Sequence, residues 1–226
     1  MKHLSFLLVL LTVVGAKAAT PPDPFAKLEP VTTTQGYLAR LLINETSFPG
    51  EAHYVSEDDT RAAMLSILWV LHSRIHYIPP GYTQQQVATI RSDDIVDIIT
   101  GGGDRRVCEG FSRDAQGRPR TARRVDERVN YLLKIANSGE KPGRFASLLN
   151  YAQGLAGAYT KEGIQGADRF AGITRINPFD VTGRAYSWMT DQDCYHPGGS
   201  FVRIPDDMDG SLSGNRFFSL RKDPGL

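Results

Sequence analysis

The stretch that most constrains how this chain can fold runs over residues 56–78. Met64, Ile67, Leu68, Leu71 and Ile75 recur at the 3.6-residue period of a helix, and Trp69, Val70 and Ile78 widen that apolar stripe. Ser56-Glu57-Asp58-Asp59 offers a capping box with acidic residues in the first turn, and Pro79-Pro80-Gly81 stops the helix. The helix is expected to be central to the core.

Other segments supply its partners. Leu38, Leu41 and Leu42 mark a first helix from Thr33 or Thr34 to Glu45. A short helix or turn is expected over 83–89. Residues 93–99 read as one more short helix, although the β-branched run Ile95-Val96 keeps a strand open. From Gly101 to Pro119 the chain is polar and glycine-punctuated, and a long binding loop or disorder is expected there. Val125, Val129, Leu132, Leu133 and Ala136 predict a helix over 122–137. Phe145, Leu148, Leu149, Ala152, Leu155 and Ala156 predict another, starting at Pro142-Gly143 and buried to Tyr159. Beyond Gly172 glycine, proline, aspartate and aromatic residues dominate, with extended candidates at 201–204 and 216–220. The expected class is mainly α (α+β), a helical domain with a loop-rich C-terminal third carrying a small β-hairpin.

The first nineteen residues run from Lys2 and His3 through the apolar stretch Leu4–Val14 to Ala16-Lys17-Ala18-Ala19, the order of a secretory signal peptide cleaved after Ala18 or Ala19. A retained N-terminal anchor is the alternative. Residues 20–31 then form a proline-rich, flexible lead, and 32–226 a single domain. The product is expected to be secreted or periplasmic, with no stable membrane insertion after cleavage. In an exported chain two cysteines invite a Cys108–Cys194 disulfide, with two buried free thiols as the alternative. A net charge of +1 gives no bias toward nucleic acid. Arg118, Arg120, Arg123 and Arg124 form a local basic cluster, read either as a solvated loop and helix start or as a contact for an anionic polymer. A monomer is expected.

One residue breaks the apolar pattern. Glu45 occupies the next position of the stripe of Leu38, Leu41 and Leu42, where a leucine belongs, and Phe48-Pro49-Gly50 ends the helix just after it. A carboxyl held against Leu41, Leu42 and Phe48 loses hydration of its charged form, so its pKa rises and it can act as a general acid. The plain alternative is a helix-end glutamate pointing to water or paired with Arg40 or Arg61.

Asn44-Glu45-Thr46-Ser47-Phe48-Pro49-Gly50-Glu51, followed by a helix carrying Ser73-Arg74-Ile75, resembles the cell wall hydrolase family typified by spore cortex-lytic enzymes. In that family an E-A-R-G-E segment precedes a helix ending in an N-R-V-like tripeptide; here the spacer is two residues longer. Ile164-Gln165-Gly166-Ala167-Asp168-Arg169-Phe170 resembles the family's G-G-A-x-x-F-like segment. Gly214-Asn215-Arg216-Phe217-Phe218 resembles its closing G-x-H-x-F-Y strand, with arginine and phenylalanine at two characteristic positions. Glu45-Thr46-Ser47-Phe48 is also similar to the E-S-x-F motif of lytic transglycosylases. The resemblance implies a lysozyme-like fold acting on peptidoglycan at the bond between N-acetylmuramic acid and N-acetylglucosamine, without a cofactor and with Glu45 as general acid/base.

Glycoside cleavage commonly uses two carboxylates. Glu51 is the first candidate for the second, with Asp58, Asp59, Asp191 and Asp193 behind it; lytic transglycosylases need only one glutamate. Tyr186, Ser187, Trp188 and Tyr159 are the candidate sugar-binding residues, flat apolar faces with polar edges. Two other functions stay open: a non-catalytic exported module that binds the cell wall or a protein, and a metal-dependent hydrolase built on His72 and His76 at i, i+4. The second lacks the glutamate of H-E-x-x-H and a signalled third ligand, and Asp206-Asp207-Met208-Asp209-Gly210 reads better as an acidic turn than as a calcium loop.

Overall fold

The computed structural model describes residues 25–101, 108–139, 141–172, 185–190, 200–204 and 212–221. The expected signal peptide, Asp191, Asp193, Cys194 and the acidic turn at 206–210 lie outside the described residues.

Helices dominate. α1 (Thr34–Asn44) starts at Thr33, whose hydroxyl caps the Gly36 N–H, and ends where the Glu45 N–H returns to the Leu41 carbonyl. α2 (Glu57–His76) starts at Ser56, whose side chain accepts from the Asp59 N–H. Two short helices follow, α3 (Gln84–Ala88), with its own capping box, and α4 (Ile95–Thr100). α5 (Arg123–Ala136) and α6 (Arg144–Ala171) complete the helical set, and α6 packs along both α1 and α2. Met64, Ile67, Leu68 and Leu71 of α2 are fully buried with Leu38, Leu41 and Leu42 of α1 and Leu148, Leu149 and Leu155 of α6, so the apolar stripes read from the sequence meet in one core. No helix among the described residues is long and apolar enough to cross a membrane.

Three expectations need correction. The polar stretch 101–119 is not all loop: β1 (Phe111–Arg113) pairs antiparallel with β2 (Pro119–Thr121). The pairing is anchored by Phe111, fully buried edge-on against Tyr37 with centroids 5.3 Å apart, and three-residue strands with single inward side chains leave no alternation to read. The last helix does not end near Tyr159. It breaks at Gly163 (φ 64°, ψ −155°) and folds back, so that Phe170 lies on Gly154 and Gly166 under the Ala158 carbonyl. A Cβ at Gly154 would meet the Phe170 ring at 2.4 Å, and one at Gly166 the Ala158 oxygen at 2.5 Å, which accounts physically for the small residues and the aromatic in that segment. Finally, Tyr186-Ser187-Trp188 is not irregular. β3 (Ser187–Thr190), β4 (Phe201–Arg203) and β5 (Asn215–Leu220) make an antiparallel sheet in the order β3-β5-β4, with Trp188 opposite Phe217.

Candidate functional site

The site grows from the end of α1. Glu45 is its C-terminal cap, so its side chain leaves the helix one turn after the buried Leu41 and Leu42. One carboxyl oxygen accepts from the Asn44 amide at 3.0 Å, and the other from the Trp188 indole N–H at 3.2 Å. Burial pushes the carboxyl pKa above its ordinary value; the Asn44 and Trp188 hydrogen bonds and the charges of Arg128 and Arg124 oppose this without cancelling it. Such a carboxyl can hold a proton, deliver it to an oxygen, and be steadied as an anion by two donors already in place.

The segment after Glu45 is fastened to the sheet. Ser213 (φ 52°) and Gly214 (φ 77°) form a two-residue turn closed by hydrogen bonds in both directions between Leu212 and Asn215, and both positive φ angles suit a type I′ turn. The turn docks on residues 45–47. Asn215 donates to the Glu45 carbonyl at 2.5 Å, the Ser47 N–H donates to Ser213 Oγ at 2.6 Å, and the buried Asp59 accepts from the Ser213 N–H at 2.7 Å. Thr60 adds a bond to the Ser47 carbonyl. The sheet thereby fixes the backbone of Glu45 from one side.

Arg128 fixes it from the other. Its guanidinium donates to the carbonyls of Ile43 and Thr46, which bracket Glu45, and makes two bonds to the Glu51 carboxylate at 2.6 and 3.1 Å. Glu51 also accepts from the Phe48 N–H at 2.7 Å. Both Glu51 oxygens are thus committed to the loop and to Arg128. Asp58 is exposed and within 3.8 Å of Arg61 at the start of α2, while Asp59 serves the Ser213 turn.

Of the sugar-binding candidates, Trp188 meets Glu45 directly. Tyr186 is buried just before β3: its carbonyl accepts from Arg74 Nε at 2.6 Å, and its hydroxyl donates to the Tyr77 carbonyl at 2.6 Å. Tyr186 therefore acts as an anchor for the strand that carries Trp188. Ser187 is buried in β3 opposite Phe218. Tyr159 lies elsewhere, packed edge-on to His72 with its hydroxyl 3.2 Å from Nδ1, and burial pushes its pKa up. The His72 and His76 rings lie 4.3 Å apart between centroids, tilted by 43°, and among the described residues no group of three or more His, Cys, Asp or Glu side chains is arranged to hold a metal.

Two more buried charge-bearing or ionisable groups adjoin this region. Cys108 is a buried thiol whose pKa burial and the nearby Glu45 push well up, with the Arg74 charge opposing them. Arg74 is itself buried, which pushes its pKa down to about 10. Sequence reasoning missed Arg128, Asn215 and the anchoring role of Arg74. Ser213-Gly214 could have been read as a hairpin turn delivering Asn215, whereas nothing in the helical pattern of α5 sets Arg128 apart.

Comparison of the chain with protein-family models, curated proteins and solved structures returned no match.

Proposed function

We propose that this protein is an exported enzyme that cleaves peptidoglycan glycan strands on a lysozyme-like scaffold, with Glu45 as general acid/base. The observation that carries the reading is the Glu45 carboxyl itself, desolvated at a helix end and held by two neutral donors, Asn44 and Trp188. Its raised pKa favours the protonated form that a glycosidic oxygen needs on bond cleavage. The commitment of Glu51 to Arg128 and the Phe48 N–H favours a one-carboxylate mechanism of the lytic transglycosylase type over a two-carboxylate muramidase. In that mechanism Glu45 first protonates the leaving oxygen; as a carboxylate it then takes the proton of a hydroxyl on the same sugar, which closes an anhydro ring. The test is digestion of purified sacculi. The native protein is expected to release muropeptides with anhydro ends by mass, and Glu45→Gln to release none while keeping its circular dichroism spectrum. Full activity in Glu45→Gln would refute the assignment, and reducing ends in the products would reassign the enzyme as a muramidase.

A further inference from the structure

Of the four arginines clustered over 118–124, three are accounted for by short-range structure or left on the outer surface. Arg118 closes the β1–β2 turn on Asp114, Arg123 pairs with Glu127 along α5, and Arg120 lies exposed on β2. Arg124 differs in position. It sits one helical turn before Arg128, and residues four apart share a helix face. Arg128 is bonded to the carbonyls on either side of Glu45, so this face of α5 runs along the end of α1. The Arg124 charge acts on the Glu45 carboxyl. Its ion-pair partner, Glu109, is held at 3.1 Å with the two side chains 58% and 89% exposed, a pair that water and salt weaken and a ligand can displace.

We infer that Arg124 is a substrate anchor that binds a carboxylate of the glycan strand next to the scissile bond, so that the enzyme prefers strands carrying free acidic groups. The inference rests on the glycan-cleaving function proposed above and adds to it a residue and a substrate class. A guanidinium fits this role because it presents paired N–H donors to a planar carboxylate.

Two soluble substrates decide it: peptidoglycan strands with free stem-peptide carboxylates, and the same strands with those carboxylates capped as neutral amides. Dissociation constants and cleavage are measured for the full-length protein and for Arg124→Gln. Arg124→Gln is expected to weaken binding of the acidic strands about tenfold, the factor carried by roughly 1.4 kcal/mol of charge-assisted hydrogen bonding. The capped strands should bind both proteins equally, Arg124→Lys should recover part of the loss, and the difference should shrink at high salt. Equal affinity of the native protein and Arg124→Gln for the acidic strands would overturn the inference, as would an equal loss on both strands. Arg124-dependent binding without cleavage would uphold the anchor and overturn the catalytic proposal. Cleavage that ignores Arg124 would do the reverse, and neither binding nor cleavage would overturn both.

Discussion

Replacing Arg128 with methionine keeps most of the side chain's apolar stem and removes the guanidinium, and the structure allows the cost to be worked out. Arg128 and Glu51 form a pair with side chains 25% and 36% exposed, which is worth about 1 kcal/mol at such a half-hydrated site. The bonds to the Ile43 and Thr46 carbonyls contribute roughly 1 kcal/mol each, because a cation is the donor and helix-end carbonyls are the acceptors. The guanidinium also lies over the Phe48 ring at 5.6 Å, worth about 0.5 kcal/mol. These contacts share one group and do not add fully, so the expected loss is about 3 kcal/mol. Glu51 keeps the Phe48 N–H and access to water, and is not left as a stranded buried charge. The control is Arg123→Met, which removes an i, i+4 pair with side chains 88% and 60% exposed and should cost no more than about 0.5 kcal/mol. Urea unfolding of both variants gives the comparison, and amide hydrogen exchange should show faster opening over 43–51 in Arg128→Met alone. A loss no larger than that of Arg123→Met would refute the view that Arg128 secures the segment bearing Glu45.

Other consequences follow from the same contacts. Glu45 has a folded pKa above its ordinary value of 4.5, so the native state binds its proton more tightly than the unfolded chain does, and wild-type stability falls as pH rises from about that value through the folded pKa. Glu45→Gln lacks this loss: its stability should match wild type at low pH and exceed it near neutrality, by about 1.4 kcal/mol for every tenfold by which folding tightens proton binding, and thermal melts showing no pH-dependent difference would contradict the burial argument. Trp188→Phe removes the indole donor that favours the carboxylate, so under the proposed function the pH at which glycan cleavage falls off on the alkaline side should move up; an unchanged profile would show that the 3.2 Å bond has no influence on Glu45. Gly163→Ala places a side chain at φ 64°, ψ −155°, a region all but restricted to glycine, and should cost about 1–3 kcal/mol in urea unfolding.

The helical part of the fold was legible because its information is local and repeated. The stripes of α1, α2, α5 and α6 each carry several apolar residues at helical spacing, and Ser56 and Pro79-Pro80-Gly81 punctuate α2 in the sequence itself. What escaped was short or dependent on contacts distant in sequence. β1 and β2 have three residues each, and their hairpin is set by Phe111 meeting Tyr37. The fold-back at Gly163 needs the reciprocal fit of Gly154 with Phe170 and of Gly166 with Ala158, and an isolated glycine in an amphipathic run carries no sign of such a partner.

The candidate site divides along the same line. Glu45 stood out because a carboxylate in an apolar stripe is a local contradiction, and local contradictions are where a sequence most readily marks function. Its supports are the opposite kind. Arg128, Trp188 and Asn215 are ordinary in their own elements and acquire meaning only when α5, β3 and the Ser213-Gly214 turn converge on the end of α1. That convergence also separates the two glutamates that the sequence treated as a pair. Glu51 accepts from a cation and a backbone N–H, contacts that tie it to the loop and to α5. Glu45 accepts from two neutral side chains that favour its anion, and its burial outweighs them and favours the protonated form. Two acids close together in the chain therefore have different surroundings: Glu51 secures the loop, and Glu45 is the one to which the proposed function assigns proton transfer.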